Sequence, residues 1–139
     1  MIYLLDTCVI SEFVAREPNP RVLDWIDSRE ETHLYLSVIT VGEIRKGIEM
    51  LPQSRRSSEL GAWLNDQILP RFSDRIVPID ANVMLRWGEL VCTLQKQGKN
   101  LPAIDSLIAA SALQANLILV TRNESDFADC GVSIVNPWR

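Results

Sequence analysis

The chain is predicted to fold as α/β, with a mainly parallel central sheet of about five strands flanked by helices. Short apolar runs alternate along it with longer segments of helical periodicity. The apolar runs are mostly continuous rather than alternating, as strands covered on both faces require. Acidic residues also stand just beyond several of these runs, where a parallel sheet opens its ligand-binding crevice.

The elements follow in order. Ile2–Leu5 is a strand, with the helical stretch Val9–Val14 directly after it. Asn19–Ser28 is a helix with Pro20 in its first turn, where the missing N–H costs nothing. Leu34–Val38 is the second strand and Val41–Met50 the helix after it, stopped by Pro52. Ser57–Ile68 is a further helix. Ile76–Ile79 is a strand suited to a sheet edge, because Pro78 cannot donate to a ladder. Ala81–Gln97 is a long helix, opened by Asp80 as N-cap and closed near Gly98. Its apolar stripe from Asn82 to Val91 is core. Ala103–Ala115 follows Pro102, then come strands Leu117–Thr121 and Val132–Val135. No repeat, low-complexity tract or linker interrupts the 139 residues, which read as one domain, 1–139.

A hydrophobic fraction of 47% and a charged fraction of 23% are those of an ordinary globular protein. The net charge of −4 argues against holding nucleic acid by bulk positive charge, but leaves room for local binding through a metal and a few arginines. The pairs Arg45-Lys46 and Arg55-Arg56 read as solvated helix faces. The three cysteines, Cys8, Cys92 and Cys130, have no paired spacing, which suits buried thiols in a reducing compartment. Asp6 arrives too early for an apolar signal core, and no run approaches a membrane span. A cytoplasmic location is expected.

Chemistry concentrates in four places. Asp6 ends the first strand, followed at once by Thr7; it is either a turn-former or a carboxylate in the crevice mouth. Glu43 lies past the second strand. Thr40-Val41-Gly42-Glu43 also reads as a capping box, and a glutamate folded back on the Thr40 amide cannot point fully at a ligand. Asp105 sits in the first turn of a small-residue apolar helix, where the helix dipole favours it in any case. In Thr121-Arg122-Asn123-Glu124-Ser125-Asp126, each of Asn123, Glu124 and Asp126 is a candidate ligand, Thr121 a candidate hydroxyl and Arg122 a candidate phosphate contact. Carboxylates gathered at one crevice repel one another unless protons or a cation intervene. An all-oxygen donor set suits Mg²⁺ or Mn²⁺. The lone histidine, His33, lies at the entry of a strand, away from this edge, which removes a Ser-His-Asp triad and the usual zinc sets. No Gly-rich phosphate loop is present.

The ordered set resembles the PIN-domain ribonucleases, specifically VapC-type toxins of bacterial toxin–antitoxin pairs, including the FitB-like branch. It comprises Leu4-Leu5-Asp6-Thr7, Val41-Gly42-Glu43-Ile44 with Lys46-Gly47, Pro102 to Ala109 around Asp105, Leu119 to Asn123, and Asp126-Phe127. The resemblance spans essentially the whole chain and implies a Mg²⁺- or Mn²⁺-dependent endoribonuclease. Asp6, Glu43 and Asp105 match its three acidic positions, Asp6 and Asp105 as direct ligands and Glu43 as a ligand directly or through water. Asn123 stands where many relatives carry an acid, so either its amide oxygen or Asp126 completes the site. Thr7 and Thr121 are expected as supporting hydroxyls. The resemblance further implies an RNA substrate, a homodimer, and a cognate antitoxin. An apolar groove for that antitoxin is expected between Val9–Ser28 and Val41–Met50, with Trp25 either as one wall or as core. Three other readings stand beside it. A dehalogenase-type phosphoryl-transfer enzyme needs an aspartate two positions after Asp6, where Cys8 stands. A silent binding module would have lost its acids. A DNA nuclease would use the same metal apparatus.

Overall fold

The computed structural model describes residues 1–139 and places five short parallel strands in one sheet of order β3-β2-β1-β4-β5. The strands are β1 (Tyr3–Leu5), β2 (Leu34–Ser37), β3 (Ile76–Val77), β4 (Ile118–Val120) and β5 (Ile134–Val135). Central β1 pairs Tyr3 with Leu34 on one side and Leu5 with Val120 on the other. The chain builds outward from β1 through β2 to β3, then returns to add β4 and β5 on the opposite flank. The carboxyl ends of β1 and β4 therefore meet at the point where the winding reverses, the usual ligand crevice of such sheets.

Alternation along each strand sends side chains to two separate cores. Tyr3, Leu5 and Val120 face the first, against Val22 and Ile26 of α2 (Pro20–Asp27), Ile44 and Ile48 of α3 (Val38–Glu49), and Phe72. Leu4 and Leu119 face the second, with Leu94 of α6 (Ala81–Lys96) and Ile108, Ala109 and Ala112 of α7 (Ala103–Ala115). The alanines let α7 lie close to the sheet. It ends at Asn116, whose φ of 55° is the left-handed cap geometry that asparagine tolerates. No helix is long and apolar enough to cross a membrane.

Several boundaries move from the sequence reading. The first helix starts earlier, as α1 (Thr7–Ser11), and continues as a 3-10 turn over Glu12–Val14. Ser54 and Ser57 form a capping box that starts α4 (Arg55–Trp63) two residues before the expected start. A wider turn over Leu64–Ile68 carries it into α5 (Leu69–Arg71). Pro78 lies outside β3, which is an edge strand as expected. All three cysteines are free, but only Cys130 is buried; Cys8 is half-buried and Cys92 exposed. Arg45 and Arg55 pair with Glu49 and Glu59 on exposed helix faces, as their spacing predicts.

Candidate active site

Asp6 leaves β1 in extended geometry and caps α1: the Thr7 N–H donates to its Oδ1 at 2.8 Å. Its Oδ2 accepts from the hydroxyl of Thr121, also at 2.8 Å. Thr121 follows β4, and the Asp6 N–H donates to the Val120 carbonyl at 2.9 Å, so the sheet ladder itself sets this pair side by side. Both side chains are buried. The turn-forming role of Asp6 is thus real, and it uses one oxygen while leaving the other at the crevice.

Glu43 is where the sequence reading most needs correcting. Ser37 caps α3 by accepting from the Ile39 N–H at 3.0 Å, so the helix begins at Val38 rather than Val41. Thr40 is then inside the helix and no capping box forms with Glu43. Released from that role, Glu43 Oε1 accepts from the Thr7 hydroxyl at 2.7 Å, with the Thr40 hydroxyl 3.2 Å from the same Thr7 oxygen. Thr7 and Thr121 therefore act as a matched pair, each aiming one carboxylate.

Asp105 occupies the first turn of α7 and is half-buried. Burial raises its carboxyl pKa above the ordinary value, and Asp6, Glu43 and Asp126 raise it further through like-charge repulsion. Four carboxylates from four segments thus share one field. None of them is in an ion pair with a lysine or arginine.

The last segment sorts the remaining candidates. Asn123 is exposed and caps the short α8 (Glu124–Phe127) without a side-chain hydrogen bond; its backbone N–H donates to Thr121 Oγ1 at 3.0 Å. Asp126 lies within α8 and lines a depression of about 400 Å³ together with Asp105 and Ser125. Its charge is one of the causes that raise the Asp105 pKa. Arg122 stacks over the ring of Trp138, 4.4 Å from its centroid. Glu124 bonds to Asn136 and Arg139.

Sequence reasoning missed Cys8, whose Sγ lies 3.8 Å from Asp6 Oδ2 and 3.7 Å from Thr121 Oγ1. Burial raises its thiol pKa, with Asp6 the next cause. The signal available was its position in the helical turn that Asp6 caps. The apolar groove beside α3, about 450 Å³, is lined by Val38, Met50 and Lys46 and closed by Ile104 of α7. Trp25 packs edge-on against Tyr3, centroids 5.0 Å apart, and lines a different cleft with the C-terminal residues. His33 sits in the turn before β2, 3.4 Å from Glu30 and away from the acids.

The donor set fits a hard divalent cation in ligand type and in charge. No three of these side chains stand close enough to close on one ion as placed, so coordination requires them to draw together. This arrangement has a measurable consequence. Asp105 has a folded pKa raised above its unfolded value of about 4. Its proton-linked stability is fully present below that unfolded value and is lost as pH rises through the folded one. Asp105→Asn should therefore raise the Tm of metal-free protein at pH 7 by roughly 1–3 °C, allowing for partial solvent screening. The gain should close below about pH 4, where wild type carries the proton too. Melting curves in chelator at both pH values check this, and a lower Tm at pH 7 would refute it.

Comparison with known proteins places these features. The PIN domain family model matches residues 3–132. Toxin FitB of Neisseria gonorrhoeae is 39% identical over 135 residues, covering 97% of each chain. VapC ribonuclease Y4jK of Sinorhizobium fredii is 36% identical over 135 residues, covering 97% of this chain and 96% of the relative. The crystal structure of FitAcB from Neisseria gonorrhoeae superposes with a TM-score of 0.94 at 40% identity, covering 100% of this chain and 99% of the other.

Proposed function

The chain belongs to the PIN-domain family, and from that premise we propose that it is the toxin of a toxin–antitoxin pair, a single-domain cytoplasmic endoribonuclease dependent on Mg²⁺ or Mn²⁺. The observation that carries the reading is the gathering of acids at one crevice: Thr121 bonds Asp6, Thr7 bonds Glu43, Asp105 and Asp126 line one depression, and repulsion from the other three acids raises the Asp105 pKa. Relatives named as a toxin and as a VapC ribonuclease support the RNA and toxin assignments.

Asp6 and Asp105 would hold the cation, with Glu43 engaging it directly or through water and Asp126 completing the charge. When bound, such a cation neutralises charge at the scissile phosphate and lowers the pKa of water. The side chains do the rest. Thr121 and Thr7 each hold one oxygen of the Asp6 and Glu43 carboxylates and so orient them at the crevice. Glu43 Oε2, left free while Oε1 accepts from Thr7, takes the proton of the attacking water. The antitoxin silences the enzyme by setting a basic side chain among the uncompensated acids. The active form is a homodimer.

Cleavage of total cellular RNA by antitoxin-free protein tests the proposal, with Mg²⁺ or Mn²⁺, a chelator control, Asp105→Asn, and a parallel DNA substrate. Discrete RNA cuts that vanish in both controls are expected. Cleavage of DNA alone would move the assignment to a DNA nuclease, and no cleavage of either would leave a binding module.

A further inference from the structure

The C-terminal residues 136–139 grip the loop that completes the acidic site. Asn136 Nδ2 donates to Glu124 Oε2 at 3.0 Å, while its Oδ1 accepts from the Trp138 N–H at 2.9 Å, so one side chain ties the tail's own turn to the loop. The Arg139 guanidinium reaches the same Glu124 oxygen at 3.0 Å. Trp138 offers its ring to the Arg122 guanidinium at 4.4 Å. It also packs on the first core, and the Arg21 guanidinium meets its carbonyl at 3.5 Å, which anchors the tail to α2.

The two gripped residues, Arg122 and Glu124, flank Asn123. The Asn123 N–H donates to Thr121 Oγ1, and that hydroxyl donates to Asp6 Oδ2. A continuous set of contacts therefore runs from the tail through the loop to the most buried carboxylate of the site. Asp126, one turn further on, rides on the same loop, its N–H donating to the Asn123 carbonyl at 3.1 Å. Without the tail, the loop keeps only local bonds on its exposed side, and short exposed loops of that kind open readily.

We infer that Trp138 and Asn136 are positioning residues for the acidic site, acting through the Arg122–Asn123–Glu124 loop. Their catalytic consequence rests on the nuclease reading, whereas the clasp itself does not. Trp138 acts through its face: its indole N–H is buried without a hydrogen-bond partner, so phenylalanine keeps the stacking surface and removes the unpaired donor.

The test compares full-length wild type with Trp138→Ala, Trp138→Phe and Asn136→Ala in two readouts. One is kcat and KM for RNA cleavage with Mg²⁺ or Mn²⁺; the other is hydrogen exchange at the Asn123 amide by NMR. Trp138→Ala and Asn136→Ala are expected to lower kcat at least tenfold with KM changed less than twofold, and to speed Asn123 exchange at least tenfold. Trp138→Phe should stay within threefold of wild type in both. Unchanged Asn123 exchange in Asn136→Ala overturns the clasp; faster exchange with kcat within twofold of wild type overturns the positioning role. If Trp138→Ala fails to fold, Asn136→Ala decides, since it leaves the packed ring in place. If wild type cleaves no RNA, the nuclease reading fails, and the exchange rates alone decide whether the clasp exists.

Discussion

Asp6→Asn is expected to reduce RNA cleavage by at least about 10²–10³-fold, a loss of roughly 3–4 kcal/mol of transition-state stabilisation, without unfolding the protein. The asparagine oxygen still accepts the Thr7 N–H that starts α1, so the cap survives. Its amide nitrogen replaces Oδ2, and the Thr121 hydroxyl turns to accept where it had donated. Thr121 Oγ1 already accepts from the Asn123 N–H, and a hydroxyl has two acceptor positions, so the new bond fits. The charge is lost, and with it a carboxylate proposed to hold the cation. Purified mutant with wild-type circular dichroism and no cuts is the expected result. Cleavage within tenfold of wild type would remove Asp6 from the mechanism.

Much of this was legible in the sequence because strong local signals and the global fold agree. The continuous apolar runs give all five strands, and the Asp80 cap sets the start of α6 to the residue. The errors occur where two local signals compete. Val38 is β-branched and extends the strand pattern, yet Ser37 already caps α3, and the three-residue shift turns Glu43 from its own helix end toward Thr7. Asp6 was open between cap and ligand because a carboxylate has two oxygens and both roles can hold at once. The choice between Asn123 and Asp126 depends on how α8 leaves β4, which no periodicity encodes. The tail's hold on the Arg122–Glu124 loop was unreadable for the same reason: it joins two irregular segments, and its contacts follow from β4 and β5 lying side by side.

Helix α8 carries Asp126, a proposed site residue, although it is only four residues long, too short to be stable by itself. What holds it is Phe127, fully buried against Leu4, Leu119 and Ile108 in the second core. Phe127→Ala should therefore cost about 3–5 kcal/mol, the usual range for emptying such a site. That is a large part of the roughly 5–15 kcal/mol available to a domain of this size. A urea midpoint lower by about 1.5–3 M is the expected reading. The same substitution loosens Asp126, one residue away, so cleavage at low temperature, where the variant is still folded, should fall by more than the unfolded fraction explains. Phe127→Leu, which refills most of the volume, should lose about 1.5 kcal/mol or less and keep most activity. A loss under about 1 kcal/mol in Phe127→Ala would mean that α8 is held by its polar contacts instead. Residues 136–139 would then be its main support.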